Sequence, residues 1–264
     1  MKNKPTFQIK SWIKCCIIFI FFLMIFFPVA QSNQTLLSND ITVSYSFASP
    51  TLETIDIAGT LYNRVNLRDC YPAGNTGEPK LPSKGAFLLL PQDSKIDEIA
   101  IITGEKIILE STLLIEPTSQ AFPMSQIENP PIPTPNTMIY HSNQVYPGNL
   151  FTQIGVYHFR GYQILVLLLH PVQYNPSTGE LFYYTSMDVV VKTSNTGITS
   201  VLYRDLSQDN KEVQLKVDNP DISSSYTSHD LSSLASLDAY DLLIITTDAL
   251  RNSFRIILTR DSPN

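Results

Sequence analysis

Residues 162–170 read YQILVLLLH, and this run decides the fold class. Every position from Ile164 to Leu169 is apolar. Both faces of the segment are therefore suited to burial, as in a central strand. Downstream, Asn175-Pro176-Ser177-Thr178-Gly179 is a cluster of turn formers, and strand patterns resume at 181–184 and 187–192. The expectation is a hairpin that joins 162–170 to 181–192 through a moderately long connection. Upstream, residues 154–159 give another strand. Residues 41–48, ITVSYSFA, place Ile41, Val43, Tyr45 and Phe47 on one face by their period of two. Residues 85–90 (GAFLLL, ended by Pro91), 96–103, 106–109 and 112–115 follow as short strands about ten residues apart. Such spacing predicts a mainly β chain folded as an antiparallel β-sandwich.

Residues 117–135 hold six prolines: Pro117, Pro123, Pro130, Pro131, Pro133 and Pro135. Proline fixes φ and has no N–H to give a ladder, so the segment reads as an extended surface loop crossing between two sheets.

The chain of 264 residues carries a formal charge of −6. Lys2, Lys4, Lys10 and Lys14 precede the first acidic residue, which leaves 14 basic against 24 acidic residues, a formal −10, after Ser32. That balance excludes a generic basic nucleic-acid surface. The four lysines stand before an uncharged run, CCIIFIFFLMIFFPVA, from Cys15 to Ala30. Sixteen residues span roughly 24 Å as a helix, short of a bilayer core of about 30 Å. The pattern is that of a secretory signal peptide over residues 1–32, with Ala30 and Ser32 as the small residues before the cut. Retained, the same run would anchor the chain with the remainder outside the membrane. Either way the destination is secreted or extracellular. Cys15 and Cys16 belong to the signal, leaving Cys70 as the one cysteine beyond it, so no intrachain disulfide staples this domain.

After the sandwich, expected over residues 33–195, residues 196–239 are rich in Ser, Asp and Asn and read as a linker, with short strands at 201–206 and 213–217. At Tyr240 the pattern changes. Leu242-Leu243-Ile244-Ile245 is a continuous apolar strand, Thr246-Thr247-Asp248 supplies an N-cap, and Leu250, Phe254, Ile257 and Leu258 recur at helical spacing. A buried strand feeding a helix opens an α/β domain. Residues 240–264 hold one such βα unit, so the expectation is the truncated start of a second domain.

Chemistry is sparse. No HExxH, GxSxG, GxxxxGK[ST] or GxGxxG motif occurs, and no Cys/His pair has zinc spacing. Cys70 with a base among His141, His158, His170 and His229 is the one conceivable nucleophile pair. Cys70 lies in a turn-rich stretch, and four scattered histidines are background. Asp205, Asp209, Asp218 and Asp221 offer calcium-type oxygen ligands, but their spacing matches no calcium loop and they read as a solvated linker face. Whether a metal binds stays open. Asn33-Gln34-Thr35 is a formal glycosylation sequon.

Several motifs taken together resemble one family. Gly77-Glu78-Pro79-Lys80-Leu81-Pro82 is similar to the G-x-P-x-L-P motif near the start of the prosegment of gingipain-type (C25) cysteine peptidases. Val145-Tyr146-Pro147, Arg160-Gly161-Tyr162 and Pro171-Val172-Gln173-Tyr174-Asn175-Pro176 resemble later strands of that prosegment. Tyr240-Asp241-Leu242-Leu243-Ile244-Ile245-Thr246-Thr247 resembles the first strand of the catalytic domain. The resemblance implies a secreted precursor whose β-sandwich prosegment covers the active site and assists folding. It also implies a caspase-like α/β catalytic domain bearing a Cys–His dyad. In that family the dyad lies beyond the first βα unit, so no catalytic residue transfers to a position of this sequence. In some members a basic prosegment residue enters the cleft; none aligns here.

Three functions then compete. The first is the prosegment region of a gingipain-like cysteine endopeptidase precursor, an intramolecular inhibitor and folding aid. Its partner is a gingipain-type catalytic domain, in cis or in trans, it needs no cofactor, and it meets a membrane only through an uncleaved signal segment. The second is a stand-alone secreted β-sandwich that binds carbohydrate or protein, which leaves the βα unit at Tyr240 without a purpose. The third is an enzyme that uses Cys70.

Overall fold

The computed structural model describes residues 40–128, 130–197, 202–227 and 247. The readings of residues 1–32 as a signal, of the sequon at Asn33, of His229 and of the βα unit at 240–264 lie outside the described residues, Thr247 apart. Twelve strands follow in order: β1 (Ile41–Ser46), β2 (Thr51–Ile57), β3 (Thr60–Asn66), β4 (Tyr71–Ala73), β5 (Leu81–Leu89), β6 (Ser94–Thr103), β7 (Lys106–Glu110), β8 (Phe151–Phe159), β9 (Tyr162–Leu169), β10 (Val172–Asn175), β11 (Glu180–Tyr184) and β12 (Ser186–Asn195). They form sheets ordered β1-β12-β6, β10-β11-β7, β2-β3 and β4-β5-β9-β8. All their ladders are antiparallel. The chain is mainly β and antiparallel, as the spacing predicts.

The core follows from side-chain alternation. Leu165, Leu167 and Leu169 of β9, Met187, Val189 and Val191 of β12, and Ala86 and Leu88 of β5 are fully buried in one cluster. Alternate residues on each strand point the same way, so these sets meet between the sheets. The opposite face of β9 is covered as well. Tyr162 and Ile164 join Leu89 of β5 in a second cluster with Val213, Val217 and Tyr226. Burial on both faces is what the unbroken apolar run demanded.

The partner of β9 differs from the expectation. β9 pairs with β5 and β8, not with residues 181–192. Arg160 (φ 54°) and Gly161 (φ +86°) close a two-residue turn between Phe159 and Tyr162. Positive φ at both central positions marks the tight hairpin turn whose twist suits paired strands. Ala58 (φ 51°) and Gly59 (φ +84°) do the same for β2–β3, a hairpin the pattern of residues 51–66 did not announce. The turn cluster at Asn175–Gly179 instead closes the short β10–β11 hairpin. Residues 112–115 form no ladder; Ile115 makes a single bridge to Asn63.

The described residues of 117–135 contain no strand and lead from the β7 sheet to the β8 sheet. They hold a 3-10 turn at Met124–Gln126 and precede a one-turn helix, Thr137–Tyr140, capped by the Asn136 side chain accepting from Met138 N.

The expected linker needs correcting where it is described. Residues 202–227 form a strap, with a helix at Ser207–Gln214 and a 3-10 turn at Pro220–Ser225, and neither 203–206 nor 213–217 is a strand. Asp218 Oδ2 accepts from Phe87 N, Asp218 N donates to Phe87 O, and Asn219 exchanges side-chain hydrogen bonds with Leu89 N and O. The polar composition that looked like a linker is spent on the free edge of β5.

Candidate functional site

The motif Gly77-Glu78-Pro79-Lys80-Leu81-Pro82 clamps both ends of the proline-rich loop. Gly77 N donates to Thr118 O at 2.8 Å, and Asn136 N donates to Gly77 O at 2.8 Å. Gly77 has φ +82°, and a Cβ there would lie 2.8 Å from Thr134 O. Only glycine meets both demands. Glu78 O accepts from Thr118 N, while Glu78 Oε2 accepts from Asn75 N and from the Tyr146 hydroxyl at 2.9 Å each. Burial, with Glu78 beside it, pushes the Tyr146 phenol above its ordinary pKa. Pro79 bridges Pro117. Lys80 N donates to Glu116 O, and Lys80 Nζ lies 3.5 Å from Glu116 Oε1. Glu116 is buried and accepts two hydrogen bonds from Arg64, at 2.7 and 3.1 Å. Leu81 enters the core. A buried carboxylate needs such partners to be tolerated.

Two of the other motifs that carried the resemblance join the same frame, and the third, Arg160-Gly161-Tyr162, packs against the strap. Tyr146 and Tyr174 exchange backbone hydrogen bonds at 2.7 and 2.8 Å, tying Val145-Tyr146-Pro147 to the Pro171–Pro176 run. Gln173 accepts from Gly148 N and donates to Asn149 O and His170 O. Gly161 passes under the strap, where a Cβ would stand 2.4 Å from Tyr203 Cα. Arg160 and Arg204 both bind the buried Asp209 carboxylate. Burial alone would raise the pKa of Asp209; the two guanidinium groups outweigh it and hold the carboxyl below the usual range.

Held this way, the loop presents side chains that the domain does not cover. Met124 is 80% exposed, Ile127 and Ile132 are also exposed, and Met138, on the short helix that follows the loop, is 82% exposed. No lysine or arginine occurs between Lys106 and Arg160. Exposed apolar side chains gathered on one loop make it the candidate surface for contact with another protein.

The residues singled out for chemistry go elsewhere. Cys70 is half-buried, and burial pushes its thiol up to about 11, so it is uncharged at neutral pH. His170 is buried with Nδ1 3.0 Å from Ser83 Oγ and Nε2 2.9 Å from Thr152 Oγ1, so both ring nitrogens are engaged. His158 lies 3.3 Å from Gln163 Nε2, and His141 follows the short helix. Of the acidic residues read as a solvated face, Asp205, Asp218 and Asp221 are exposed and Asp209 is not. Asp209 is buried among arginines, Asp218 caps the β5 edge, Asp205 accepts from the Tyr203 hydroxyl, and Asp221 O accepts from Ser224. Among the described residues, no group of three or more His, Cys, Asp or Glu side chains could hold a metal ion.

A family profile, Propeptide_C25, matches residues 29–222. The chain belongs to this family. A solved complex of the pro- and mature domains of RgpB from Porphyromonas gingivalis is similar, at 16% identity and a TM-score of 0.55, over 69% of this chain and 94% of that one. A structure of gingipain K from the same organism, described in terms of zymogenic latency, matches at 18% identity and a TM-score of 0.50, over 59% of this chain and 87% of that one. At such identities the likeness is one of fold, and it places this antiparallel fold with gingipain prodomains. Comparison with curated proteins finds no match.

Proposed function

We propose that this C25 propeptide is the inhibitory and folding-assisting prosegment of a secreted gingipain-type cysteine peptidase precursor, exported by residues 1–32. Its partner is the catalytic domain that such a precursor carries, met in cis or in trans. One observation carries the reading. The family motif at Gly77 is spent on fixing the two ends of a loop whose own apolar side chains stay uncovered. A segment ordered at its base and apolar at its tip is built to meet a preformed surface, and fixing the base lowers the entropy lost on contact. The similar pro- and mature-domain complex supports the choice of partner. Within one chain the two parts would face each other at an effective concentration on the order of millimolar, so modest intrinsic affinity suffices.

Co-elution tests the partnership. The exported domain is mixed with a catalytic domain of the gingipain type and run on a sizing column. Joint elution, weakened when Met124 and Ile127 are both changed to Asp, is the expected result. Separate elution of a folded domain at roughly 50 µM of each component favours the stand-alone binding module.

A further inference from the structure

A cavity of about 350 Å3 opens beside the clamp, at the end of the β4-β5-β9-β8 sheet away from the strap. Its volume falls within the range of small-ligand sites, roughly 300–1,000 Å3. The closed end is polar and deeply buried: Ser83 is 2% exposed and His170 8%. Leu81, Pro147 and Leu168 supply apolar wall.

The hydrogen-bond inventory of the wall leans toward acceptors. Asn75 Nδ2 donates to Glu78 Oε2 at 3.0 Å, and the Tyr146 hydroxyl donates to the same oxygen. Asn149 Nδ2 donates to Phe151 O at 2.9 Å and to Thr152 Oγ1 at 3.1 Å. A carboxylate and a carbonyl only accept, so the orientation of both amides is fixed by their partners. The phenol, both Asn149 amide hydrogens and one of Asn75 thus point into the protein, which leaves the second Asn75 N–H and one hydroxyl proton, on whichever of Ser83 and Thr152 accepts from a neutral His170, as the remaining side-chain donors of the wall. Asn75 Oδ1, Asn149 Oδ1 and Glu78 Oε1 accept no hydrogen bond among the described residues. Glu78 is the one charged residue on the wall if His170 is neutral, and burial favours the neutral imidazole. No lysine or arginine lines the cavity.

A wall that offers acceptors and one negative charge complements a group that only donates and carries positive charge. We propose that this cavity is a binding site for a guanidinium or primary ammonium group on a short aliphatic stem. The charged head meets Glu78 and the two amide oxygens, and the stem lies against Leu168 and Pro147. The inference does not depend on the inhibitory reading. The cation could come from a basic side chain of a bound polypeptide or from a free small amine.

The test is a titration of the full chain with n-propylguanidinium, followed by backbone amide NMR, with sodium butyrate and n-butanol as anionic and neutral counterparts. The expected result is saturable binding with a Kd of about 1–10 mM, shifts confined to residues 74–78, 146–149 and 170, and no such shifts with butyrate or butanol. Glu78→Gln keeps an acceptor for Asn75 N and removes the charge; binding should weaken at least tenfold. Should that variant fail to fold, raising salt from about 20 to about 500 mM on the unaltered protein should weaken binding several-fold. Equal binding of butanol, undiminished binding by a folded Glu78→Gln, or insensitivity to salt would each overturn the proposal. An N-acetylated, C-amidated Gly-Arg-Gly peptide separates the two sources: tenfold tighter binding than propylguanidinium assigns the site to a side chain, and equal affinity assigns it to a free amine.

Discussion

His170 sits where the sheet, the 146–150 loop and the cavity meet. Burial lowers its pKa from the ordinary 6.5. In the unfolded chain the imidazole takes up a proton near pH 6.5. The native state resists that proton, so the unfolded state binds more protons at lower pH and stability falls as pH drops through 6.5 toward the lower native value. Urea midpoints at about pH 7.5 and pH 5.5 should differ for the native protein, and by less for His170→Gln. Equal pH dependence in the two would remove His170 as the cause. Gly77 makes a second prediction at this scale. Gly77→Ala puts a Cβ 2.8 Å from Thr134 O at φ +82°, a strain of roughly 1–3 kcal/mol. Part of that is relieved by releasing the loop, so limited proteolysis within residues 117–136 should speed up more than the unfolding midpoint falls.

The strap over residues 202–227 gives the clearest prediction for an element. The Tyr226 hydroxyl accepts from Gln163 N at 3.0 Å and donates to Leu90 O at 2.9 Å, and its ring lies 4.5 Å from that of Tyr162. Tyr226→Phe keeps the ring and leaves two backbone groups short of a partner, at a cost of about 1–3 kcal/mol in denaturant unfolding. Asp209→Asn should cost more than breaking the exposed Lys192–Glu98 pair, because Arg160 and Arg204 converge on a buried carboxylate. The same strap shows where the sequence was opaque. Val213, Val217 and Tyr226 are buried one at a time between polar residues, so no apolar run marks them. Asp218 and Asn219 look solvated in sequence, yet they bond to the β5 edge. By contrast, the unbroken apolar run of β9 announced burial on two faces, and its period-two neighbours announced the antiparallel class. The hairpins at Ala58-Gly59 and Arg160-Gly161 were illegible because their turns lack the Asn or Asp that usually signals positive φ at the first position. In the site, the motif at Gly77 was visible as a resemblance. Its work as a clamp depends on Thr118, Asn136 and Tyr146, which only the fold brings near.

At the scale of the molecule, an acidic, mainly β domain with no lysine or arginine between Lys106 and Arg160 presents an uncovered apolar loop. Export is the first consequence to check. The exported protein should begin at Asn33 on N-terminal sequencing, and recovery of Met1 in a membrane fraction would replace cleavage with an anchor. Inhibition of a peptidase is the central claim. Interfaces of about 1,600 Å2 span micromolar to picomolar affinity, so area alone fixes no constant. The most direct measurement is a titration of a gingipain-type peptidase with the purified, folded domain spanning residues 33–239, read as residual cleavage of a peptide substrate. The account predicts progressive inhibition at roughly micromolar concentration or below. Full activity at about 100 µM domain would contradict it.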